Sequence, residues 1–254
     1  MKSRFLLSLM ILIVISCSLS TQGTLTESEA SNFILAELIG TSPTLDGTIN
    51  ANEYGNGNTG DIVTLTFESS TILITVFATH TASTIYFGFS WPDTTSDPGT
   101  GNYDGVALEL DQDENPDVGK DVNPADSKVL AYGTGGNIKM DGYKDDSSGP
   151  PVDDTANSGT DNLNAIVGWN SDIRTIEMSF PMTSGDTNGY DVSLYNGDSL
   201  DIVIAVFQDA SSPEYLSNNY GLAIDSMPAV EFNPFIAFSI ISLFVIGLVI
   251  KKKF

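Results

Sequence analysis

Residues Ile85–Trp91 read IYFGFSW, and this stretch decides the fold class. Every second side chain from Ile85 to Trp91 is large and apolar, which is typical of a strand with one face in a core. No stretch between Pro43 and Val230 shows a helical period. Five further segments are β-branched, alternating or apolar throughout: Ile62–Phe67, Thr71–Ala78, Val106–Leu110, Ile176–Phe180 and Leu200–Phe207. The sequence therefore predicts an all-β domain over residues 43–230, an antiparallel β-sandwich of immunoglobulin-like or jelly-roll-like type.

The N-terminal residues 1–23 have the pattern of an export signal. Lys2 and Arg4 precede the apolar run Phe5–Ile15, and small polar residues follow. This run is too short to span a bilayer, so a signal peptide is predicted rather than an anchor. Cys17 lies in a weak bacterial-type lipobox, which makes lipidation the lesser alternative. It is the only cysteine, so thiol chemistry and disulfides are excluded from the exported domain.

The C-terminal residues predict a single transmembrane helix over 232–250, because this stretch is uncharged and long enough to cross the hydrocarbon. The basic residues that follow, Lys251–Lys253, predict a short cytoplasmic tail at 251–254. The expected topology is a cell-membrane protein with its domain outside. Residues 24–42 are predicted to be a leader or linker, with Ala30–Ile39 a short helix or flexible. Asp141–Asn164 is predicted to be a long surface loop.

The charge of the chain excludes one class of partner. The 254 residues carry 33 acidic and 10 basic side chains. Half of the basic residues lie in the two predicted terminal segments, so residues 24–250 hold 33 acidic side chains against 5 basic ones, a net charge of −28. Such a surface repels nucleic acid.

No catalytic motif stands out. His80 is the only histidine, and neither a G-x-S-x-G segment nor a P-loop is present. A histidine-based zinc site would need partners that the chain does not have. The prediction is a protein without enzymatic activity.

One acidic segment has the composition of a calcium-binding loop. Oxygen-bearing side chains recur at alternate positions after a predicted strand, which suits a cation that takes six to eight oxygen ligands. Pro116 and Val122 stand where an EF-hand needs glycine and glutamate, so the prediction is a loop site outside that family, with a solvated acidic loop as the alternative. The candidate ligands are Asp111, Asp113, Asn115, Asp117 and Asp121.

Four segments carry a family resemblance. They are PTLDGTINANEY (43–54), THT with IYFGFSWPDTT (79–95), YDGVALELD (103–111) and TIEMSFPMTSGD (175–186). The first resembles the start of family-9 carbohydrate-binding modules, and the second resembles the haem-binding domain of ethylbenzene-dehydrogenase and DMSO-reductase-type gamma subunits. The third is similar to a strand of both families, and the fourth is similar to a later segment that is also seen in DOMON domains. The haem-binding domain belongs to the same β-sandwich superfamily as family-9 carbohydrate-binding modules and DOMON domains.

The resemblance to haem-binding domains implies a haem b cofactor and a role in electron transfer to an unknown redox partner. Axial ligation needs an imidazole, a thioether or a comparable donor. The candidates for that role are His80, Met140, Met182, Lys139 and Lys144. Met178 alternates with core positions and is predicted to be buried.

The resemblance to carbohydrate-binding modules implies a glycan ligand stacked on an aromatic ring. The two tryptophans, Trp91 and Trp169, are the candidates, and core packing is the alternative for each. A third hypothesis is a structural or adhesive surface protein with calcium-stiffened loops. The resemblance favours the haem-binding domain as the main interpretation, with the carbohydrate-binding module and the structural protein as alternatives.

Overall fold

The computed structural model describes residues 33–50, 52–55, 60–95, 100–111, 125–134, 136–144, 152–185, 191–210, 215–217 and 220–226. Within these ranges the chain forms strands and one short 3-10 helix, Asp154–Asn157. The strands are β1 (Phe33–Leu38), β2 (Asp61–Phe67), β3 (Ser70–His80), β4 (Thr84–Pro92), β5 (Tyr103–Asp111), β6 (Ala125–Tyr132), β7 (Ile138–Lys144), β8 (Val152–Asp153), β9 (Asn164–Asn170), β10 (Ile173–Pro181), β11 (Ser199–Ala210), β12 (Tyr215–Ser217) and β13 (Tyr220–Ile224).

The strands form a nearly all-antiparallel sandwich, which confirms the predicted antiparallel β-sandwich. One layer has the order β8-β7-β6-β5-β11, and the other has the order β9-β10-β4-β3-β2. Strand β12 joins β11 to β2, while β1 and β13 join β3 to β11. These short strands hydrogen-bond the two layers to each other along one side. The six strand segments predicted from alternation lie within β2, β3, β4, β5, β10 and β11.

The main core lies between the layers. Phe87 and Phe89 of β4 are fully buried there and share it with Leu108 of β5 and Ile204 of β11. Met178 belongs to the same core, as its alternation predicts. A smaller apolar cluster, which includes Ala107, Val129 and Phe207, covers the opposite face of β5, β6 and β11.

The segment before the predicted sandwich differs from its prediction. Residues Phe33–Leu38 form strand β1 rather than a helix or a flexible leader, and β1 pairs in parallel with β13 and with the end of β3. Ile34 and Ala36 are buried while Phe33 and Leu35 are exposed, which is a period of two. The two neighbouring strands supply the backbone hydrogen bonds that an isolated segment lacks.

The segment Asp141–Asn164 is also more ordered than the predicted surface loop. Its described part contains the end of β7, strand β8, the 3-10 helix and the first residue of β9. Asp141 and Asp154 are buried, and both belong to a cluster of charged side chains described below.

Among the described residues, no helix has the length and apolar character needed to cross a membrane. The predicted signal segment at residues 1–23 and the predicted span at 232–250 both lie outside the described residues.

Candidate functional site

A buried glutamate fixes the first motif of the sequence against the sandwich. Glu177 lies on the outer face of β10, and its Oε2 accepts hydrogen bonds from the backbone amides of Asp46 and Gly47 at 3.0 and 2.7 Å. Its Oε1 accepts a hydrogen bond of 3.0 Å from the hydroxyl of Tyr54. Residues 43–50 and 52–55 therefore pack over β4 and β10, and we call them the covering turn. The covering turn explains why Glu177 is fully buried although it occupies a polar position of an alternating strand.

Burial shifts the ionisation of both partners in this contact. Burial raises the pKa of Glu177, although the amide of Gly47 and the hydroxyl of Tyr54 oppose the shift. Burial and the adjacent Glu177 carboxylate raise the pKa of Tyr54 well above its usual value. The contact is therefore an anchor built from a buried carboxyl group and its donors.

Two glycines allow the covering turn to approach the sheet. A Cβ on Gly168 of β9 would lie 1.9 Å from the carbonyl oxygen of Gly47. Gly47 has a φ of 84°, in the left-handed region that glycine adopts without strain. Thr175 of β10 donates a hydrogen bond of 2.6 Å to the same Gly47 oxygen. These contacts fix the distance between the covering turn and strands β9 and β10.

A cleft of about 470 Å³ lies between the covering turn and the outer face of the sheet. Its floor follows one row of paired residues across three strands, from Gly168 through Thr175 to Ser90. The full lining combines hydroxyl, amide and carboxylate groups with apolar side chains: Asp46, Gly47, Thr48, Ile49, Phe77, Ser90, Gly168, Trp169, Asn170, Ile173 and Thr175. This composition suits a neutral ligand that carries both hydroxyl groups and apolar faces.

The two tryptophans occupy different environments. Trp169 lies on the edge strand β9 at the cleft, is 41% exposed, and its indole N–H donates a hydrogen bond of 3.3 Å to the carbonyl oxygen of Asp93. Trp91 is 1% exposed and belongs to the main core. Trp169 is therefore the tryptophan that a ligand in the cleft could reach.

The described residues that line the cleft include none of the candidate haem ligands. His80 is fully buried, and its Nδ1 and Nε2 lie 2.9 and 3.2 Å from the carbonyl oxygens of Thr81 and Asp225. Met182 is buried in the main core, and Met140 packs against the smaller apolar cluster.

The two lysines among the haem candidates are placed as follows. The Lys139 ammonium pairs with Asp161 at 3.0 Å and donates a hydrogen bond to the carbonyl oxygen of Leu163. Lys144 ends strand β7, and its side chain lies outside the described residues. Haem binding therefore stays a prediction of the sequence resemblance.

Four of the five calcium candidates, Asp113, Asn115, Asp117 and Asp121, lie outside the described residues. The fifth, Asp111, ends strand β5, and nothing of its side chain is described. Calcium binding by that loop stays a prediction.

A second polar cluster lies at the inner face of β6 and β7, and we call it the Lys128 cluster. The Lys128 ammonium forms ion pairs with Asp126 at 2.8 Å, with Asp191 at 3.0 Å and with Asp141. It also lies 5.2 Å from the centre of the Phe180 ring. All four charged side chains are at most 3% exposed.

The ionisation of the Lys128 cluster reflects its burial. Burial raises the pKa of Asp126 to about 7, although Lys128 opposes the shift. Burial and the neighbouring carboxylates of Asp191 and Asp141 raise the pKa of Asp154 to about 7. Burial tends to raise the pKa of Asp191. The Lys128 ammonium and a hydrogen bond from Ser184 outweigh burial, so the pKa of Asp191 lies below its usual value.

The sequence prediction did not include most residues of the cleft. Isolated polar residues on strands and turns are common, so their sequence positions do not mark them as binding residues. This applies to Asp46, Thr48, Ser90, Asn170 and Thr175. The Asp46-Gly47 pair predicts a turn, but the residue that anchors it is 130 positions away. Trp169 was singled out as a large aromatic at a strand end.

No protein-family profile matches the sequence, and no curated protein sequence matches it. Two solved structures that resemble the fold are a family-9 carbohydrate-binding module from Caldicellulosiruptor kristjanssonii with cellotriose and one with glucose. The first is 14% identical with a TM-score of 0.47 and covers 78% of this chain and 96% of its own. The second is 12% identical with a TM-score of 0.47 and covers 80% and 100%. At these values neither structure assigns a ligand to this chain.

Proposed function

We propose that this chain is a non-catalytic carbohydrate-binding module that holds a neutral glycan in the cleft beneath the covering turn. The observation that carries the proposal is the lining of that cleft. The hydroxyl-bearing residues Thr48, Ser90 and Thr175 line it together with Asn170 and Asp46. Such groups can donate to and accept from the vicinal hydroxyl groups of a sugar.

The apolar part of the lining supports the same ligand class. Ile49, Phe77 and Ile173 present carbon surface next to the polar groups. A pyranose ring has apolar C–H faces and polar edges, so both kinds of lining find a partner. The volume of about 470 Å³ lies within the roughly 300–1,000 Å³ of ligand pockets in general.

The charge around the cleft argues for a neutral ligand. Asp46 is the single charged residue among the lining residues that the structure describes, and the predicted exported region carries a net charge of −28. Anionic ligands would meet like charge in the cleft and around it. Glycosidases commonly use a pair of carboxyl groups, so a lining with one carboxylate supports binding without hydrolysis.

The proposal extends to where the module acts. A predicted signal at residues 1–23 and a predicted span at 232–250, followed by three lysines, support export and attachment to the cell membrane. A glycan-binding module held there would face carbohydrates outside the cell. Protease digestion of intact cells tests this topology, because the domain should be cleaved while the cytosolic proteins remain protected.

Glycan binding by the purified full-length chain tests the proposal directly. The probes are neutral oligosaccharides of glucose, xylose, mannose and galactose, with binding measured by isothermal titration calorimetry. At least one series should bind, and Trp169→Ala and Asp46→Asn should weaken that binding by about ten-fold or more, equivalent to the loss of one charge-assisted hydrogen bond or one stacking contact. Asp46→Asn keeps the Oδ1 acceptor that the Thr48 amide uses, so the turn is retained.

Tyr195→Ala is the matched control, since Tyr195 is a 59% exposed aromatic that is not among the cleft residues. It should bind as the wild type does. Absence of binding to every neutral series, or equal binding by the Trp169→Ala and Asp46→Asn variants, contradicts the proposal. A Soret band after expression with a haem supply would favour the haem-binding alternative instead.

A further inference from the structure

The floor of the cleft continues across all five strands of its layer. The row from Gly168 through Thr175 to Ser90 extends to Thr75 of β3, which pairs with Ser90. Thr75 in turn pairs with Ile62 of β2, and we call these five residues the hydroxyl row. Neighbouring strands lie about 4.8 Å apart, so the row spans roughly 19 Å. Thr75 and Ile62 are not among the cleft residues, so the row continues beyond the cleft.

The covering turn borders the hydroxyl row on one side. The next row in that direction contains Glu177, Gly88 and Phe77, each paired with the one before it. Tyr54 of the covering turn contacts both ends of this row. Its hydroxyl lies 3.0 Å from Oε1 of Glu177, and its ring centre lies 5.6 Å from that of Phe77. The turn therefore forms a wall beside the hydroxyl row from β10 to β3.

A second row, on the other side of the hydroxyl row, is exposed throughout. We call it the outer row, and its members are Asn170, Ile173, Pro92, Leu73 and Thr64. Pro92 lies two residues after Ser90 on β4. Leu73 lies two residues before Thr75 on the antiparallel strand β3, so Leu73 and Pro92 are level with each other. The outer row therefore runs beside the hydroxyl row from β9 to β2.

The two rows differ in charge from the rest of the chain. All of their residues are described, and none of them is charged, although residues 24–250 hold 33 acidic side chains. Thr175, Ser90 and Thr75 supply hydroxyl groups to the hydroxyl row, and none of the three is buried. Ile62 and Leu73 supply carbon surface beyond the cleft and are 62% and 55% exposed. This surface suits a neutral ligand with hydroxyl groups and apolar faces, as the cleft does.

We propose that the cleft and the two rows form one track that binds an internal segment of a linear, neutral polysaccharide. This inference rests on the proposed function, because the track begins in the glycan cleft. A single sugar unit in the cleft would leave the part of the track on β3 and β2 uncovered. At one end β9 is an edge strand, and at the other Ile62 is exposed, so the described residues leave both ends of the track open. A polysaccharide can therefore continue past the site in both directions.

Calorimetry with the full-length chain and oligosaccharides of increasing length tests this inference. In the neutral series that binds, affinity should rise by about ten-fold or more from the disaccharide to the hexasaccharide, because the longer chain covers more apolar surface. Reduction of the terminal sugar with borohydride should leave hexasaccharide binding unchanged, since an internal segment does not present that end to the track. Equal affinity at every length, or loss of binding on reduction, overturns the inference and leaves the proposed function intact. Absence of binding at every length overturns both.

A double variant separates the outer part of the track from the cleft. Ile62→Ser combined with Leu73→Ser should weaken hexasaccharide binding by about five-fold or more, through lost apolar contact, and leave disaccharide binding unchanged. Ile138→Ser is the matched control, because Ile138 is an exposed apolar residue of β7 in the other layer. It should bind both sugars as the wild type does. Unchanged hexasaccharide binding by the double variant, or equal weakening for both sugars, overturns the inference.

Light scattering tests whether a second copy of the chain covers the two rows instead. The wild type and the double variant should have the same mass in solution. A wild-type dimer that the double variant converts to monomers would identify the rows as an interface between copies and overturn the inference.

Discussion

The carboxylate of Glu177 accepts a hydrogen bond of 2.7 Å from the backbone amide of Gly47, 130 residues earlier in the chain. This contact attaches the covering turn to the outer face of β10. The turn forms one wall of the cleft, so the buried glutamate positions the proposed binding site without touching a ligand.

Replacing Glu177 by alanine should destabilise the fold. The change leaves the amides of Asp46 and Gly47 and the hydroxyl of Tyr54 without their acceptor. The expected decrease in the free energy of unfolding is about 3 kcal/mol, as for buried groups that lose a charged partner. Urea unfolding followed by circular dichroism measures it, and a decrease below about 0.5 kcal/mol would show that the anchor is not needed.

The pH dependence of stability should report the ionisation of Glu177. Burial raises its folded-state pKa above the ordinary 4.5, so the folded state binds the proton more tightly than the unfolded state does. Stability from this group is then present below pH 4.5 and is lost as the pH rises through the higher folded pKa. The wild type should lose stability relative to Glu177→Gln over that window, and a difference that is constant from pH 4 to pH 7 contradicts the assignment.

Replacing Gly168 by alanine should move the covering turn and disturb the cleft. The added Cβ would meet the backbone oxygen of Gly47, which is not a flexible side-chain atom. We expect a loss of about 1–3 kcal/mol in unfolding free energy, typical of overpacking, with weaker glycan binding. Gly40→Ala is the matched control because nothing lies within 4 Å of its Cβ position, and a Gly168→Ala variant that matches it in both measurements would contradict the close contact.

The ion pairs of Arg174 and Lys139 should differ sharply in their contribution to stability. Arg174 is 2% exposed and contacts the buried carboxylates of Asp93 and Asp104. Arg174→Ala leaves both without their cation, for an expected loss of about 3–5 kcal/mol. Lys139→Ala, whose pair with Asp161 is about two-fifths exposed, should cost less than about 1 kcal/mol. Equal losses in denaturant unfolding would contradict the difference in burial.

The strands that the sequence predicts correctly carry an uninterrupted run of apolar residues on their inner face. In Ile85–Trp91 of β4 and Ile176–Phe180 of β10 every second residue packs in the main core, so the period of two is visible. Strand β6 places Asp126 and Lys128 on its inner face, and these charges hide the same period. A single sequence does not show that the two side chains neutralise each other in part.

The site was less predictable than the fold because it depends on contacts between distant segments. Glu177 occupies a polar position of an alternating strand, which ordinarily faces solvent. Only the covering turn makes it a buried anchor, and a sequence pattern does not record what lies on the outer face of a strand. Trp169 could be singled out from its size and position, whereas its accessibility relative to Trp91 required the structure.

Strand β13 gives the domain a defined mechanical response. It is hydrogen-bonded on both sides, in parallel with β1 and antiparallel with β11. A force that pulls the chain beyond Ile224 along the strand would load both ladders in shear, so many hydrogen bonds would resist together. An edge strand peeled from its end would lose them one at a time. Strand β13 is therefore suited to carry tension between the proposed glycan ligand and the membrane attachment proposed for residues 232–250.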